Sequence, residues 1–350
     1  MFNWNIYDYS LPKNLLAKTP ATPRDTSRLF IYNSKTDSIK FDRFFNLDKY
    51  LPKKSFLVLN DTKVLPARIE LGKQNGGKVI CLLLLNELTK LRKNNLVKAL
   101  VDRKTKIGEK LFIDNTYYFE VIDQNNKIFL LKFKFSPQLL YRKLIKKGKT
   151  PVPLYLRKTP LNEKQLRKKY QTIFAKKGNI GSVAAPTASL HFSGRVFAKL
   201  EKRKIEKFFI TLQVGLGTFA PLEKENLFQK KLPAEIFKVT PSIFEKLKKL
   251  KFQSFKLVAS GTTTVRALES KFSGQNGSTG KTELFIFPPY KFKMVDILLT
   301  NFHLPRSSLM LLVEAFLQYK KAKKHLVDLY KIAIKEKFRF YSFGDAMLIL

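Results

Sequence analysis

The apolar pattern of this 350-residue chain changes twice along its length, and this change constrains the fold. Within residues 63–155, short strand-like runs follow one another closely, and apolar and charged residues alternate over 131–135. The predicted strands are 78–85, 96–101, 110–113, 117–122 and 127–135, with a hairpin turn at 123–126. Closely spaced antiparallel strands of this kind predict a small barrel or sandwich.

The flanking sequence follows a different pattern. Strand-like runs at 208–214, 256–260 and 283–287 are accompanied by helix-like runs, and two further helices are predicted near 309–319 and 324–335. The sequence therefore predicts an α/β main domain, formed by residues 1–62 and 156–350, with an inserted small antiparallel β-barrel domain at 63–155.

The chain is strongly basic, with 67 Lys and Arg residues against 27 acidic ones and a net charge of +40. Such a field attracts polyanions, and nucleic acid is the natural partner. The excess is densest over residues 141–178, where Tyr141, Tyr155 and Tyr170 are interleaved with basic residues and are predicted to stack on bases. A general lysine bias of the proteome is the alternative explanation for the size of the charge.

Several classes of protein are disfavoured by composition. The single cysteine, Cys81, allows neither an intrachain disulfide nor a cysteine metal cluster, and it is predicted to pack in a core. No apolar run reaches the ~18 to 20 residues that span a bilayer, and the N-terminus does not follow the order of a secretory signal. We expect an intracellular protein with no metal site and no membrane contact.

The chain has three histidines, and His191 and His303 occur in similar settings of small, hydroxyl and apolar residues. Because the pKa of histidine lies near neutrality, rarely used histidines are candidates for proton transfer or substrate orientation. The alternative is that each is a hydrogen-bonded residue of the core.

Residues 255–269 indicate a strand, a tight turn and a helix. Thr262, Thr263 and Thr264 would then lie at the helix N-terminus, where backbone N–H groups favour a carboxylate or phosphate. Arg266 would add a positive charge to this site, or it would pair with Glu269 on the same helical face.

A competing pattern begins at Gly215, where Gly217 and Ala220 complete a dinucleotide-binding spacing and Glu235 follows about 20 residues later. Pro221 and the poor apolar face of 223–231 argue against it. An oxidoreductase using residues 215–220 and a non-catalytic basic RNA-binding protein remain the alternatives to the interpretation that follows.

Taken together, the motifs resemble the S-adenosylmethionine:tRNA ribosyltransferase-isomerase family of queuosine biosynthesis. The segments that carry the resemblance are YDYSLP (7–12), RDTSRL (24–29), LNDTKVLPAR (59–68), YQTIFA (170–175), VAAPTASLHF (183–192), VGLGTF (214–219), GTTTVR (261–266), TNFHLP (300–305) and YSFGDA (341–346). They cover essentially the whole chain in the family's order.

The resemblance implies an α/β domain with an inserted β-barrel and a defined reaction. Such an enzyme transfers and isomerises the ribosyl group of S-adenosylmethionine onto 7-aminomethyl-7-deazaguanine at the wobble position of tRNA. The products are epoxyqueuosine-tRNA, adenine and methionine. S-adenosylmethionine is consumed as a substrate, no bound cofactor is expected, and the expected enzyme is a cytoplasmic monomer.

The resemblance also implies roles for individual residues. The predicted catalytic residues are His191 and His303. Those predicted to bind substrate are Asp61, Arg68, Thr262, Thr263, Thr264, Arg266, Arg339 and Asp345. Those predicted to bind tRNA are Lys146, Lys147, Arg167, Lys168 and Lys169.

The chain departs from the family pattern at a few positions. Gln213, Lys230 and Pro233 stand where relatives carry histidine, whereas the glutamate at 235 is retained. Ile80 replaces a usual glutamate, and Pro289 a usual glycine. Since the other motifs are intact, we expect the missing histidines to be dispensable. Any imidazole chemistry then depends on His191 or His303, unless His325 contributes.

Overall fold

A computed structural model describes residues 4–85, 95–215, 224–274 and 277–350. The strands in these ranges are β1 (Arg28–Asn33), β2 (Ser38–Arg43), β3 (Ser55–Asn60), β4 (Lys63–Val64), β5 (Arg68–Lys73), β6 (Lys78–Leu84), β7 (Leu96–Val101), β8 (Lys110–Phe112), β9 (Tyr118–Asn125), β10 (Ile128–Phe133), β11 (Ile180–Ser182), β12 (Glu206–Gln213), β13 (Lys231–Lys238), β14 (Lys256–Ser260), β15 (Thr279–Leu284), β16 (Ile297–Asn301) and β17 (Ala346–Ile349).

The α-helices of the same ranges carry the connections between strands. They are α1 (Pro137–Lys147), α2 (Glu163–Lys169), α3 (Gly194–Lys202), α4 (Lys224–Gln229), α5 (Pro241–Phe252), α6 (Thr262–Phe272), α7 (Ser308–Tyr319) and α8 (Leu326–Lys335). The predicted helices near 309–319 and 324–335 are confirmed as α7 and α8. The Ser307 hydroxyl begins α7 by accepting a hydrogen bond from the Met310 N–H at 3.3 Å.

The main sheet is mixed and has the strand order β15-β13-β12-β3-β14-β16-β17-β1-β2. Strands β12, β3, β14 and β16 run parallel, whereas β17 is antiparallel to β16 and parallel to β1. The carboxyl ends of β12, β3, β14 and β16 therefore share one edge of the sheet with the amino ends of β17 and β1. We call this the carboxyl edge.

The central strands are apolar because both faces of the sheet are covered. Every residue of β3 and of β16 is buried, as expected for parallel strands packed between helices. Helix α6 packs against β12, β14 and β15, and it contributes Val265, Ala267 and Leu268 to the largest core.

The second body is a closed antiparallel barrel with the order β10-β7-β6-β5-β8-β9. Its interior is apolar, and Leu140 and Leu144 of α1 pack against it. Cys81 is fully buried in this core, as predicted, and burial raises the pKa of its thiol to about 12. The predicted fold class is confirmed, and the predicted strands occur with ends shifted by a few residues. The domain limits at 63 and 155 stay a prediction.

The two segments that connect the barrel to the main domain are hydrogen-bonded to each other. The Arg68 N–H donates to the Lys149 carbonyl at 3.2 Å, and the Lys149 N–H donates to the Arg68 carbonyl at 2.6 Å. A Cβ atom on the neighbouring Gly148 would lie 1.9 Å from the Pro66 carbonyl oxygen, so the close approach requires glycine. No helix in the described ranges is both long and apolar enough to cross a bilayer.

Candidate active site

The carboxyl edge of the main sheet buries an unusual number of polar side chains. The buried residues are Asp25, Ser27, Asn60, Asp61, His191, Ser260, Asn301, His303 and Asp345. Burying polar groups costs free energy unless they are hydrogen-bonded, so their partners define the site.

His191 is held between Ser27 and Asn301. Its Nδ1 atom lies 2.9 Å from the Ser27 hydroxyl, its Nε2 atom lies 3.4 Å from the Asn301 amide nitrogen, and its ring packs against Phe44. Burial, together with the positive charges of Arg339 and Arg24, lowers the pKa of His191 to about 3. The ring is therefore neutral at physiological pH.

His303 follows the end of β16. Its Nε2 atom lies 2.8 Å from the Thr300 hydroxyl, its N–H donates to the Tyr330 hydroxyl at 2.9 Å, and its carbonyl accepts from the Tyr9 hydroxyl. Burial lowers the pKa of His303 to about 3. A neutral imidazole still carries one N–H, but a ring with a pKa near 3 is a poor general base or acid at neutral pH, so these surroundings favour the orienting role over proton transfer.

Asp345 organises the turn that precedes β17. Its carboxylate accepts hydrogen bonds from the Arg28 N–H at 3.0 Å, the Arg339 N–H at 2.8 Å and the Arg339 guanidinium at 3.2 Å. These contacts fix the turn, and the guanidinium of Arg339 stays about one third exposed and faces a cleft.

Asp61 and Asn60 join β3 to its neighbours. Asp61 accepts hydrogen bonds from Thr211 at 2.7 Å and Asn179 at 2.8 Å, and it pairs with Lys176 at 3.2 Å. The Asn60 amide bonds the Leu212 backbone and reaches the Thr263 hydroxyl at 3.3 Å. The structure thus brings Asp61 and Thr263 to the same edge, whereas Arg68 begins β5 of the barrel.

The predicted strand, turn and helix at residues 255–269 are confirmed as β14 and α6, joined by Gly261 with φ +89°. Arg266 of α6 donates to the buried carboxylate of Glu235 on β13 and, through Nε, to the Leu284 carbonyl at 3.0 Å. The alternative pairing with Glu269 is wrong. Glu269 instead accepts the backbone N–H groups of Lys293 and Met294.

The contacts of the Arg266 guanidinium with Glu235 and Leu284 do not use its Nη2 donor. Its Nη2 atom is buried and has no hydrogen-bond partner in the part of the chain that the structure describes. Beside it lies a cavity of about 10 Å³, lined by Thr262, Thr263, Arg266, Leu232, Ile286, Ser308, Leu309 and Leu312. A helix N-terminus, two threonines and a free guanidinium donor are groups that bind anions, and the cavity between them has room for about one water-sized group.

A larger cavity of about 330 Å³ opens at the same edge, next to Ser27. We call it the arginine cleft. Its lining is Ala21, Thr22, Thr26, Ser27, Arg28, Arg43, Lys337, Arg339 and Asp345. The sequence-based prediction found Arg339 and Asp345 but missed Arg28, Arg43 and Lys337. The charged RDTSR segment was the available signal, but nothing in the sequence joined it to residue 337.

The predicted tRNA-binding residues lie on α1 and α2. Lys146 and Lys168 are exposed, and Lys169 is half-buried. Lys147 donates to the Ile113 carbonyl at 2.7 Å, and Arg167 pairs with Glu163 at 2.7 Å, so these two also brace their helices.

The predicted stacking of three tyrosines on bases is wrong for two of them. Tyr170 is buried, with its ring edge-on to Phe343. Tyr155 packs against Tyr341 and bonds Ser342. Only Tyr141, at 38% exposure, presents its ring to solvent.

The dinucleotide-binding alternative is wrong. That fingerprint requires a parallel crossover after the glycine turn, whereas β12 pairs with β13 in antiparallel orientation. Glu235, the predicted ribose-binding acid, is engaged with Arg266 and with the Gly215 N–H at 2.8 Å. Residues 216–220 of the motif lie outside the described residues.

Comparison with known proteins assigns the family. The profile of the queuosine biosynthesis protein family matches residues 4–349. Proteins named S-adenosylmethionine:tRNA ribosyltransferase-isomerase from Thermotoga petrophila and Aquifex aeolicus are 40% and 42% identical, each over 98% of both chains. The crystal structure of S-adenosylmethionine tRNA ribosyltransferase from Thermotoga maritima is 31% identical, with a TM-score of 0.54 over 98% of this chain and 99% of that one. The chain therefore belongs to the queuosine biosynthesis protein family and is a tRNA-modifying transferase.

Proposed function

We propose that this transferase moves the ribosyl group of S-adenosylmethionine onto 7-aminomethyl-7-deazaguanine at the wobble position of tRNA and isomerises it. The products are epoxyqueuosine-tRNA, adenine and methionine. S-adenosylmethionine serves as a consumed substrate without a resident cofactor, and the enzyme acts as a cytoplasmic monomer. The names of its relatives support the substrate pair, and the carboxyl edge supplies residues suited to it.

The observation that carries the proposal is the free Nη2 donor of Arg266 beside the N-terminus of α6. The methionine part of S-adenosylmethionine ends in a carboxylate. Glu235 holds the guanidinium in place from the other side, so the free donor is fixed before the substrate arrives. Once the lining side chains move to admit it, a carboxylate there gains a charge-assisted hydrogen bond and the favourable end of an 11-residue helix.

The neutral histidines suit the orientation of the substrate for the first chemical step. The sulfonium of S-adenosylmethionine acidifies the neighbouring ribose carbon, and a base must take its proton. Both His191 and His303 are neutral at pH 7, so each can orient a hydroxyl group by a hydrogen bond. Because a pKa near 3 makes either ring a weak base, a role in taking the proton requires that bound substrate raise that pKa.

Adenine release tests the reaction. The protein should release adenine only when both S-adenosylmethionine and tRNA carrying 7-aminomethyl-7-deazaguanine are present. The matched control is the same tRNA with guanine at the wobble position. Equal release with the control tRNA, or without tRNA, would contradict the proposal.

Histidine variants test the roles within the reaction. His191→Asn and His303→Asn should each reduce adenine release by about two orders of magnitude if the ring takes part in proton transfer. His325→Asn is the control, since that side chain is 74% exposed at the start of α8 and should turn over normally. A folded His191 variant with normal turnover would remove that residue from the mechanism.

A further inference from the structure

The arginine cleft carries more positive charge than the fold requires. Arg28 begins β1, Arg43 ends β2, and Lys337 and Arg339 follow α8. The only carboxylate in the lining is Asp345, so four cationic side chains face one anion and leave an excess of three positive charges.

Asp345 does not neutralise the cations at the mouth of the cleft. Its oxygens are occupied by the backbone N–H groups of Arg28 and Arg339 and by the Arg339 guanidinium. Arg43 is exposed and donates to the Thr26 carbonyl at 3.0 Å, which is a neutral partner. For Lys337, which is also exposed, the structure shows no ion pair within the described ranges.

The deeper cation Arg28 is held in position by uncharged groups. The Arg28 guanidinium lies 3.9 Å from the centre of the Phe338 ring and donates to the Glu336 carbonyl. Stacking and carbonyl contacts orient a guanidinium without cancelling its charge, so an arriving anion meets preorganised donors.

The size and floor of the cleft indicate the kind of anion. A volume of about 330 Å³ falls at the lower end of sites for whole small ligands. Exposed Arg43 and Lys337 lie at the mouth, whereas the floor contains Ser27, whose hydroxyl touches His191. We infer that the cleft binds one nucleotide of the tRNA, with its backbone phosphate held by Arg43, Lys337 and Arg339 and its base directed toward Ser27.

This inference rests on the proposed function, since tRNA is the substrate that supplies the phosphate. It places the RNA beside the buried histidines. It also separates two kinds of basic residue, because the cleft then positions the reacting nucleotide while the surface of α1 and α2 attracts the rest of the tRNA.

Equilibrium binding tests the inference without requiring turnover. Lys337 (φ +58°) and Lys321 (φ +53°) both follow a helix end, and both adopt the left-handed backbone conformation. Lys337→Asn and Lys321→Asn therefore form a matched pair, since asparagine tolerates this backbone conformation. Lys321 is exposed and lies outside the cleft lining.

Affinity for tRNA carrying the precursor base would be measured between 50 and 200 mM KCl. Lys337→Asn, and Arg43→Gln as a second variant, should each weaken tRNA binding about 3- to 10-fold and lower the salt slope by about 0.7. Affinity for S-adenosylmethionine should stay unchanged in both variants. A Lys337→Asn protein that binds tRNA with the affinity and salt slope of Lys321→Asn would overturn the inference.

Inorganic pyrophosphate distinguishes a tRNA phosphate from a free anion. If pyrophosphate binds the wild type but not Lys337→Asn, while tRNA affinity is equal in both, the cleft serves a free anion and the inference fails. Adenine release is measured separately. If the wild type releases no adenine but binds tRNA more tightly than Lys337→Asn does, the result counts against the proposed reaction and leaves the inference about the cleft intact.

Discussion

The barrel interior and the carboxyl edge differ in what they bury. Between residues 65 and 135, within the described ranges, Thr105 is the one buried polar side chain, and the acidic residues pair at or near the surface, as in Lys143–Asp114 and Lys78–Glu70. The carboxyl edge instead buries carboxylates, amides and two imidazoles. Apolar burial stabilises the barrel, whereas at the carboxyl edge the free-energy cost of burying polar groups offsets part of that stabilisation.

This difference indicates where a ligand is needed. Asn301 Oδ1 and Arg266 Nη2 belong to the few buried polar atoms of the described chain that have no hydrogen-bond partner, and both lie in elements that reach the carboxyl edge. An unpaired buried polar atom costs about 1 to 3 kcal/mol unless something binds it. We therefore assign the chemistry to the edge and a supporting role to the barrel.

The largest expected effect comes from breaking the buried pair at the edge. Arg266→Met leaves the Glu235 carboxylate buried without its cation and should lower the free energy of unfolding by about 3 to 5 kcal/mol. Adding Glu235→Gln removes that charge but keeps an acceptor for the Gly215 N–H, so the double variant should regain much of the loss. Urea unfolding checks both variants, and a single variant as stable as wild type would contradict the assignment.

A similar loss of stability is expected in the barrel, but without an effect on substrate binding. Phe119 is fully buried and packs edge-on to Phe133. Phe119→Ala should cost about 3 to 5 kcal/mol, while the KM for S-adenosylmethionine stays the same. Phe252→Ala, at a 92% exposed position, is the control and should change stability little. A raised KM in the folded Phe119 variant would show that the barrel shapes the edge directly.

The two histidines should make the fold sensitive to acid. Both rings stay neutral in the fold, with pKa values lowered from 6.5 to about 3, whereas the unfolded chain takes up protons as the pH falls below 6.5. Stability is thus complete above that pH and is lost as the pH falls toward 3, by about 2 kcal/mol per ring between pH 7 and pH 5. His303→Asn should remove about half of this pH dependence.

His325 provides a control, because its pKa is shifted in the opposite direction to the pKa of the two buried histidines. Its hydrogen bond to Glu314 raises its pKa, so its contribution is present at low pH and is lost as the pH rises. His325→Asn should therefore remove a gain in stability that the wild type makes as the pH falls through the range just above 6.5, and it should leave the slope at lower pH unchanged. A His303 variant with the same pH profile as wild type would contradict the neutral, buried state of that ring.

The smallest effects are expected on the surface of α1 and α2. Lys146→Gln and Lys168→Gln remove exposed charges and should each raise the KM for tRNA about threefold and reduce its salt dependence. Lys98→Gln, at an exposed position of β7 in the barrel wall, is the matched control. Equal effects of all three changes would indicate attraction by overall charge rather than by a defined surface.

Periodicity was sufficient to predict the barrel strands, the turn before α6 and the helix α7, because these depend on neighbours in sequence. It missed α1 and α2, whose apolar residues Leu144 and Leu166 are diluted by lysine and arginine. It also offered Glu269 as the alternative partner of Arg266 and missed Glu235, 31 residues away. The arginine cleft was not predictable, since parallel pairing of β1 with β17 is what joins its segments.

The most direct measurement compares S-adenosylmethionine with its decarboxylated analogue in adenine release. The wild type should prefer the carboxylate-bearing substrate by about 10- to 100-fold in kcat/KM, the value of a hydrogen bond to a charged group. The double variant Arg266→Met, Glu235→Gln, which removes the donor without leaving an unpaired carboxylate, should lose most of that preference. An unchanged preference in the folded double variant would show that the carboxylate binds elsewhere and would contradict the assignment of the α6 N-terminus.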